Sequence, residues 1–179
     1  MSDKKRYICL LRGINVGSTK RMLMDDLKNL FESLGFTNIS TYIQSGNVVF
    51  SSTENADALK SKIENAITSK FGFQVDSLVF DEELLSFILS NNPFEQVASY
   101  SIDNLYVTII SETANSGADQ ILELAAQGDL FKINGRAIYI YVKTKYSDSK
   151  LTNSFIEKKL KTSATTRNWK TLNQLYKMI

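Results

Sequence analysis

The sequence predicts an α+β protein, a tandem pair of ferredoxin-like (βαββαβ) plaits, each followed by an extra helix. Three observations lead there. Short apolar segments of period two alternate with longer segments of helical period. Two turn signals, Ser45-Gly46-Asn47 and Asn134-Gly135, each separate a pair of strand-like segments. The order strand, helix, hairpin, helix, strand, helix then occurs twice along the chain.

In the first pass, residues 7–11 form a strand. Residues 24–34 form an amphipathic helix with Leu27, Leu30, Phe31 and Leu34 on one stripe and Gly35 as its stop. Strands at 39–43 and 48–50 make a hairpin, because Ser45-Gly46-Asn47 tolerates positive φ. Residues 56–71 return as a helix with Leu59, Ile63, Ala66 and Ile67 inward and Gly72 at its end. A strand at 75–80 completes the unit. A trailing helix at 82–89 ends at Asn91-Asn92-Pro93, since proline disfavours helix in the residue before it.

The second pass has a strand at 105–110, a helix at 118–126, a hairpin over 130–142, and a helix at 151–160. It ends with a short extended piece at 164–167 and a helix at 169–178. The expected units are residues 1–92 and 103–179, with the seam between them. In each, two helices cover one face of a four-stranded antiparallel sheet.

The 179 residues, 43% of them hydrophobic, suffice for one sizeable core or two small ones. The longest apolar runs are strand-sized, far short of the roughly 20 residues that span a bilayer, so no membrane segment is expected. The charged start, Asp3-Lys4-Lys5-Arg6, leads into a short apolar run without a small-residue cleavage site. A cytoplasmic location is the expectation. The one cysteine, Cys9, lies within a strand and reads as core. With no histidine in the chain, Cys-His pairs, Ser-His-Asp triads and the usual zinc sites are excluded, and no cofactor or metal is expected. A carboxylate-only magnesium site stays open as the alternative, but Asp25-Asp26 opens a helix, where acids complement the dipole.

The net charge of +2 is unevenly spread. Residues 81–135 carry nine acids and one base, and residues 136–179 carry ten bases and two acids. The two segments either neutralise each other or expose a basic surface to an anionic partner. The sheet face away from the helices is also apolar in the first strand. In the second unit Tyr139 and Tyr141, joined by Tyr106, point away from Ile138 and Ile140. This face is expected to be covered by the other unit or a second subunit, the alternative being an aromatic platform for single-stranded bases.

Two polar segments interrupt this pattern: Arg12-Gly13-Ile14-Asn15-Val16-Gly17 and Thr165-Thr166-Arg167-Asn168-Trp169. In a plait the first loop and the hairpin turn leave the sheet at one end. Arg12, Gly13, Asn15 and Gly17 are therefore expected beside Gln44, Ser45 and Asn47, with Lys20 and Arg21 nearby. By the same topology Lys150, in the connection from residue 143, is expected beside Thr166, Arg167 and Asn168. Arginine forks, glycines and open helix amides suit an anion. The first segment has three residues between its glycines where a Walker loop has four, and no Gly-Lys-Ser/Thr follows, so it is not one. Asn168 also reads as a helix cap and Trp169 as an anchor.

The stretches Leu11-Arg12-Gly13-Ile14-Asn15-Val16-Gly17, Thr41-Tyr42-Ile43-Gln44-Ser45-Gly46-Asn47-Val48-Val49-Phe50 and Thr165-Thr166-Arg167-Asn168-Trp169-Lys170-Thr171-Leu172 resemble the signatures of a bacterial family catalogued as domain of unknown function 1697. The resemblance spans nearly the whole chain and implies a tandem pair of plait-like units. It implies no activity, substrate or catalytic residue. Residues 143–148 lack the proline and glycine of family members there.

Three functions remain open from the sequence. The first is a cytoplasmic binding protein for a small anionic, phosphate-bearing ligand. The second is an RNA or single-stranded nucleic-acid binder using the basic tail and the tyrosine face. The third is an enzyme on a phosphorylated small molecule, with Arg12 and Arg167 stabilising charge and Asp148 as base.

Overall fold

The structure, a computed structural model, describes residues 4–96 and 101–179. It is α+β, with two four-stranded antiparallel sheets and six α-helices among the described residues. Contacts along the chain group into two units, Met1–Ser86 with Gln174–Ile179, and Phe87–Asn173. The boundary falls inside two helices. The expected seam at 92–103 lies partly outside the described residues, at 97–100.

The first unit contains β1 (Lys5–Leu11), α1 (Met24–Ser33), β2 (Thr37–Tyr42), β3 (Asn47–Ser52), α2 (Ala56–Phe71) and β4 (Ser77–Asp81). Its strands lie in the order β2-β3-β1-β4. The alternation of β1 puts Tyr7, Cys9 and Leu11 on the face that α1 and α2 cover, where they meet Leu27, Phe31, Leu59, Ile63 and Ile67. Phe31 and Phe50 meet edge-on at 5.2 Å, and Phe36 adds a third ring 4.7 Å from Phe50. Such pairs contribute about 0.5–1.5 kcal/mol beyond area burial. Helix α2 begins where the Asn55 side chain accepts from the Ala58 amide at 2.9 Å, and it stops at Gly72 with φ 75°.

The second unit contains β5 (Leu105–Ile110), α4 (Ala118–Ala126), β6 (Leu130–Asn134), β7 (Ala137–Tyr141), α5 (Asn153–Leu160) and β8 (Ala164–Asn168) in the strand order β6-β7-β5-β8. Leu122 and Ala125 of α4, with Ile156 and Leu160 of α5, close over Ile110, Ile138, Ile140 and Ala164. The trailing helices are α3 (Glu82–Ser90) and α6 (Trp169–Lys177). Trp169 is buried, as an anchor would be.

The extended piece expected at 164–167 is a strand: β8 runs to Asn168 and pairs Thr166 with Thr108 and Arg167 with Val107. The residues are polar, but β5 offers them a backbone ladder, and threonine suits a strand. Tyr106 does not join Tyr139 and Tyr141. It stands opposite Ile140 and so faces the helices, where it stacks on Tyr146 at 4.6 Å. At Tyr139 the tyrosine face is covered, not the open platform of the alternative reading: the ring is fully buried and its hydroxyl donates to the Ile88 carbonyl at 2.9 Å.

Both sheet edges that run into a trailing helix carry the same device. Glu64 accepts from the Ser77 amide at 2.7 Å at the start of β4, and Glu157 accepts from the Ala164 amide at 3.0 Å at the start of β8. A carboxylate acceptor satisfies an outward amide that no strand would reach.

Candidate functional site

The first polar loop and the β2–β3 turn do meet at one end of the first sheet. The Leu11 amide donates to the Gly46 carbonyl at 2.8 Å as β1 ends. Gly46 has φ 77°, and a Cβ there would lie 2.6 Å from Leu11 Cβ and 2.8 Å from Ile14 Cδ1. Only glycine allows that approach.

Asn15 ties the two segments together. It takes φ 54°, and its amide nitrogen donates to the Met22 and Gln44 carbonyls, both at 2.9 Å, while its oxygen accepts from the Met22 amide at 2.9 Å. Both side-chain protons are thereby used. Asn47 does the same inside the turn: fully buried, it donates to the Tyr42 carbonyl at 3.0 Å and to Ser45 Oγ at 2.9 Å. Asn15, Ser45 and Asn47 therefore form the frame of this end. Arg12 is half-buried, its amide bound to the Asp76 carbonyl at 2.9 Å, and Gly13 and Gly17 lie in exposed left-handed bends.

Two features here lie beyond what periodicity could show. Ile43, read from the sequence as the end of a strand, lies in the turn with φ 49° and is 51% exposed. A β-branched residue in that region is strained by about 1–2 kcal/mol. Leu23, 71% exposed, stands at the N-cap of α1, where it supplies no side-chain acceptor. The first amides of α1 thus lack the partner that Ser, Thr, Asp or Asn would provide. That signal was legible as an acid pair with no capping residue before it.

The uncapped start of α1 faces a cavity of about 450 Å³ whose walls include Asn15, Arg21, Gln44, Asp25, Asp26 and Phe71. Arg21 and Gln44 are exposed, and their side chains have no hydrogen-bond partner among the described residues. Arg21 is the basic side chain on these walls, and Arg12 is not among them.

The second cluster divides. In β8 alternate residues point to opposite faces, so Thr166 turns toward the helices and Arg167 away from them. Thr166 Oγ1 sits 2.6 Å from Thr108 Oγ1 and 2.6 Å from Asn153 Oδ1, and it accepts from the Tyr146 hydroxyl at 3.1 Å. Donating to Asn153 while accepting from Thr108 and Tyr146 saturates that hydroxyl. Arg167 Nη1 donates to the Thr166 carbonyl at 2.9 Å. Asn168 caps α6, its oxygen accepting from the Thr171 amide at 2.8 Å. Lys150 is exposed beside Lys143 and Asp148 at a separate small cavity. Asp148 accepts from Thr144 Oγ1 and Ser147 Oγ, both at 3.2 Å. No cluster of potential metal ligands occurs among the described residues, and no helix among them is long and apolar enough to cross a membrane.

The family profile described as Protein of unknown function (DUF1697) matches residues 4–139, and the chain belongs to that family. The fold is similar to a solved structure, that of the conserved bacterial protein SP0830 from Streptococcus pneumoniae. The two share 20% identity with a TM-score of 0.70, over 98% of this chain and 99% of that one. No curated protein matches the chain.

Proposed function

We propose that this member of the family is a binding protein whose first unit holds a small, phosphate-bearing anion at its loop end. One juxtaposition carries the reading: the uncapped first turn of α1 opens on the same cavity as Arg21 and Gln44. Helix-start amides and a guanidinium are directed donors of the kind phosphate oxygens take. The Asn15 clamp supports it, because the loop presenting those donors is held before any ligand arrives. Asp25 and Asp26 line the cavity too, so its charged side chains sum to −1 and recognition rests on aimed N–H groups. We also take each unit to be a ferredoxin-like plait, a reading supported by the shared order of the two sheets.

A thermal-shift panel of inorganic pyrophosphate, nucleotides, sugar phosphates and short oligonucleotides tests this. A ligand at about 100 times its Kd adds about 2.7 kcal/mol, a rise of roughly 5–10 °C for a chain of this size. Arg21→Ala and Gln44→Ala are expected to abolish the shift, and Arg12→Ala to weaken it. A shift that survives Arg21→Ala and Gln44→Ala overturns the site. A response to oligonucleotides alone that collapses with added salt favours nucleic-acid binding instead.

A further inference from the structure

The four sheet edges are not equivalent. At β2 the register slips between Thr37 and Ser40, with Asn38 at φ 51°, a bulge that spoils the edge for pairing. At β4 and β8 the first outward amides are taken by Glu64 and Glu157. Strand β6 has none of these protections. It is regular over Leu130–Asn134, pairs only with β7, and its outward backbone groups have no partner among the described residues. Every second residue of an edge strand presents such groups.

The side chains of β6 define what fits. Phe131 and Ile133 stand opposite Ile140 and Ile138 and pack on the core under α4 and α5. An added strand would continue that core on this side with apolar residues. Leu130, Lys132 and Asn134 point to the other face, with Leu130 47% exposed and Lys132 exposed. Helix α4, which packs beside β6, adds Leu124 at 87% exposure. The exposed acids of α4, Asp119 and Glu123, are on the helix that covers the first side, and within β6 Lys132 is the charged residue on the second.

We propose that β6 is a docking edge for an extended peptide segment of another protein, apolar on the helix side and acidic opposite Lys132. A second copy of this chain fits poorly. An antiparallel pairing centred on β6 would set Lys132 against its own counterpart, and like charges directly opposite destabilise a pair. A glutamate at that place pairs with Lys132, while the ladder supplies affinity by strand addition.

The test uses the full chain and two end-blocked peptides, Thr-Val-Glu-Val-Thr and Thr-Val-Lys-Val-Thr. The glutamate peptide is expected to bind with a Kd of about 1 mM or tighter and to slow hydrogen exchange at the amides of residues 130–134. Lys132→Glu, an exposed change that leaves the fold intact, is expected to reverse the preference between the peptides by roughly fivefold. Binding without protection of β6, a preference unchanged by Lys132→Glu, or no binding of either peptide overturns the proposal. So does a concentration-dependent dimer in sedimentation that protects the same amides without peptide.

Discussion

The side-chain amide of Asn15 donates to the main-chain carbonyl of Gln44 across a gap of twenty-nine positions, at 2.9 Å. This bond, with the pair between Asn15 and Met22, makes one rigid end from a loop and a turn that are far apart in sequence. Asn15→Ala removes all three bonds and leaves an alanine at a left-handed φ. The cost is expected at about 2–3 kcal/mol. Urea unfolding measures it, and hydrogen exchange at the Met22 amide should quicken more than at β1.

Gly46→Ala is expected to be the most damaging small change in this end. Its Cβ would overlap Leu11 Cβ, an atom fixed to the backbone, at a φ that disfavours alanine. Overpacking and backbone strain together predict a loss of about 2–4 kcal/mol. Gly13 has φ 66° with nothing near the added atom. Gly13→Ala should therefore cost only about 1 kcal/mol. Equal losses in a denaturant titration would mean that backbone conformation alone decides both.

Ile43→Asn is expected to stabilise the protein by about 1 kcal/mol, because asparagine enters the left-handed region with less strain and the isoleucine is already half in water. The expected reading is a raised midpoint in urea with an unchanged slope. A loss of stability would show that the exposed isoleucine packs enough to offset its backbone.

The layout of this end was legible in the sequence, whereas its energetics were not. Turn chemistry at Ser45-Gly46-Asn47 and the plait order together brought Arg12–Gly17 to Gln44. Those are local signals combined with topology. Periodicity cannot tell a side chain that frames a loop from one that faces a ligand, so Asn15 and Asn47 read as site residues although their donors are spent internally. In the second unit the grouping of Thr166 with Arg167 came from composition. Thr165-Thr166-Arg167-Asn168 is polar enough to suggest one ligand-holding cluster, yet in the strand it forms beside β5 alternation parts Arg167 from Thr166. Tyr106 fails for a related reason: which face a strand residue takes depends on register, and register is set by the partner strand.

Alkaline pH should expose Tyr139. Burial pushes its hydroxyl from 10.0 up to about 12 in the folded protein. Between those values the folded state holds a proton that the unfolded state has lost, so stability is complete below pH 10 and falls as pH rises toward 12. The loss is about 2–3 kcal/mol. Tyr139→Phe removes both the group and its bond to the Ile88 carbonyl. The variant should be less stable at neutral pH and should show a shallower decline above pH 10. The difference between the two urea-unfolding series isolates this residue from other tyrosines and lysines.

Asp25→Asn and Asp26→Asn should separate folding from binding at the proposed site. Both acids lie in the first turn of α1, where negative charge meets the positive end of the helix dipole. Removing each charge is expected to lower the stability of the unliganded protein by about 0.3–1 kcal/mol. The same acids line the cavity with Arg21 and Gln44, so an incoming phosphate is repelled by them. At about 4 Å in a water-like dielectric one such repulsion is about 1 kcal/mol, so each variant should bind pyrophosphate roughly fivefold more tightly by calorimetry. The opposed signs matter: a general loosening of the loop end would lower stability and affinity together. If affinity falls with added magnesium but not without it, the acids hold a cation that bridges to the phosphate, and the ligand is the metal complex.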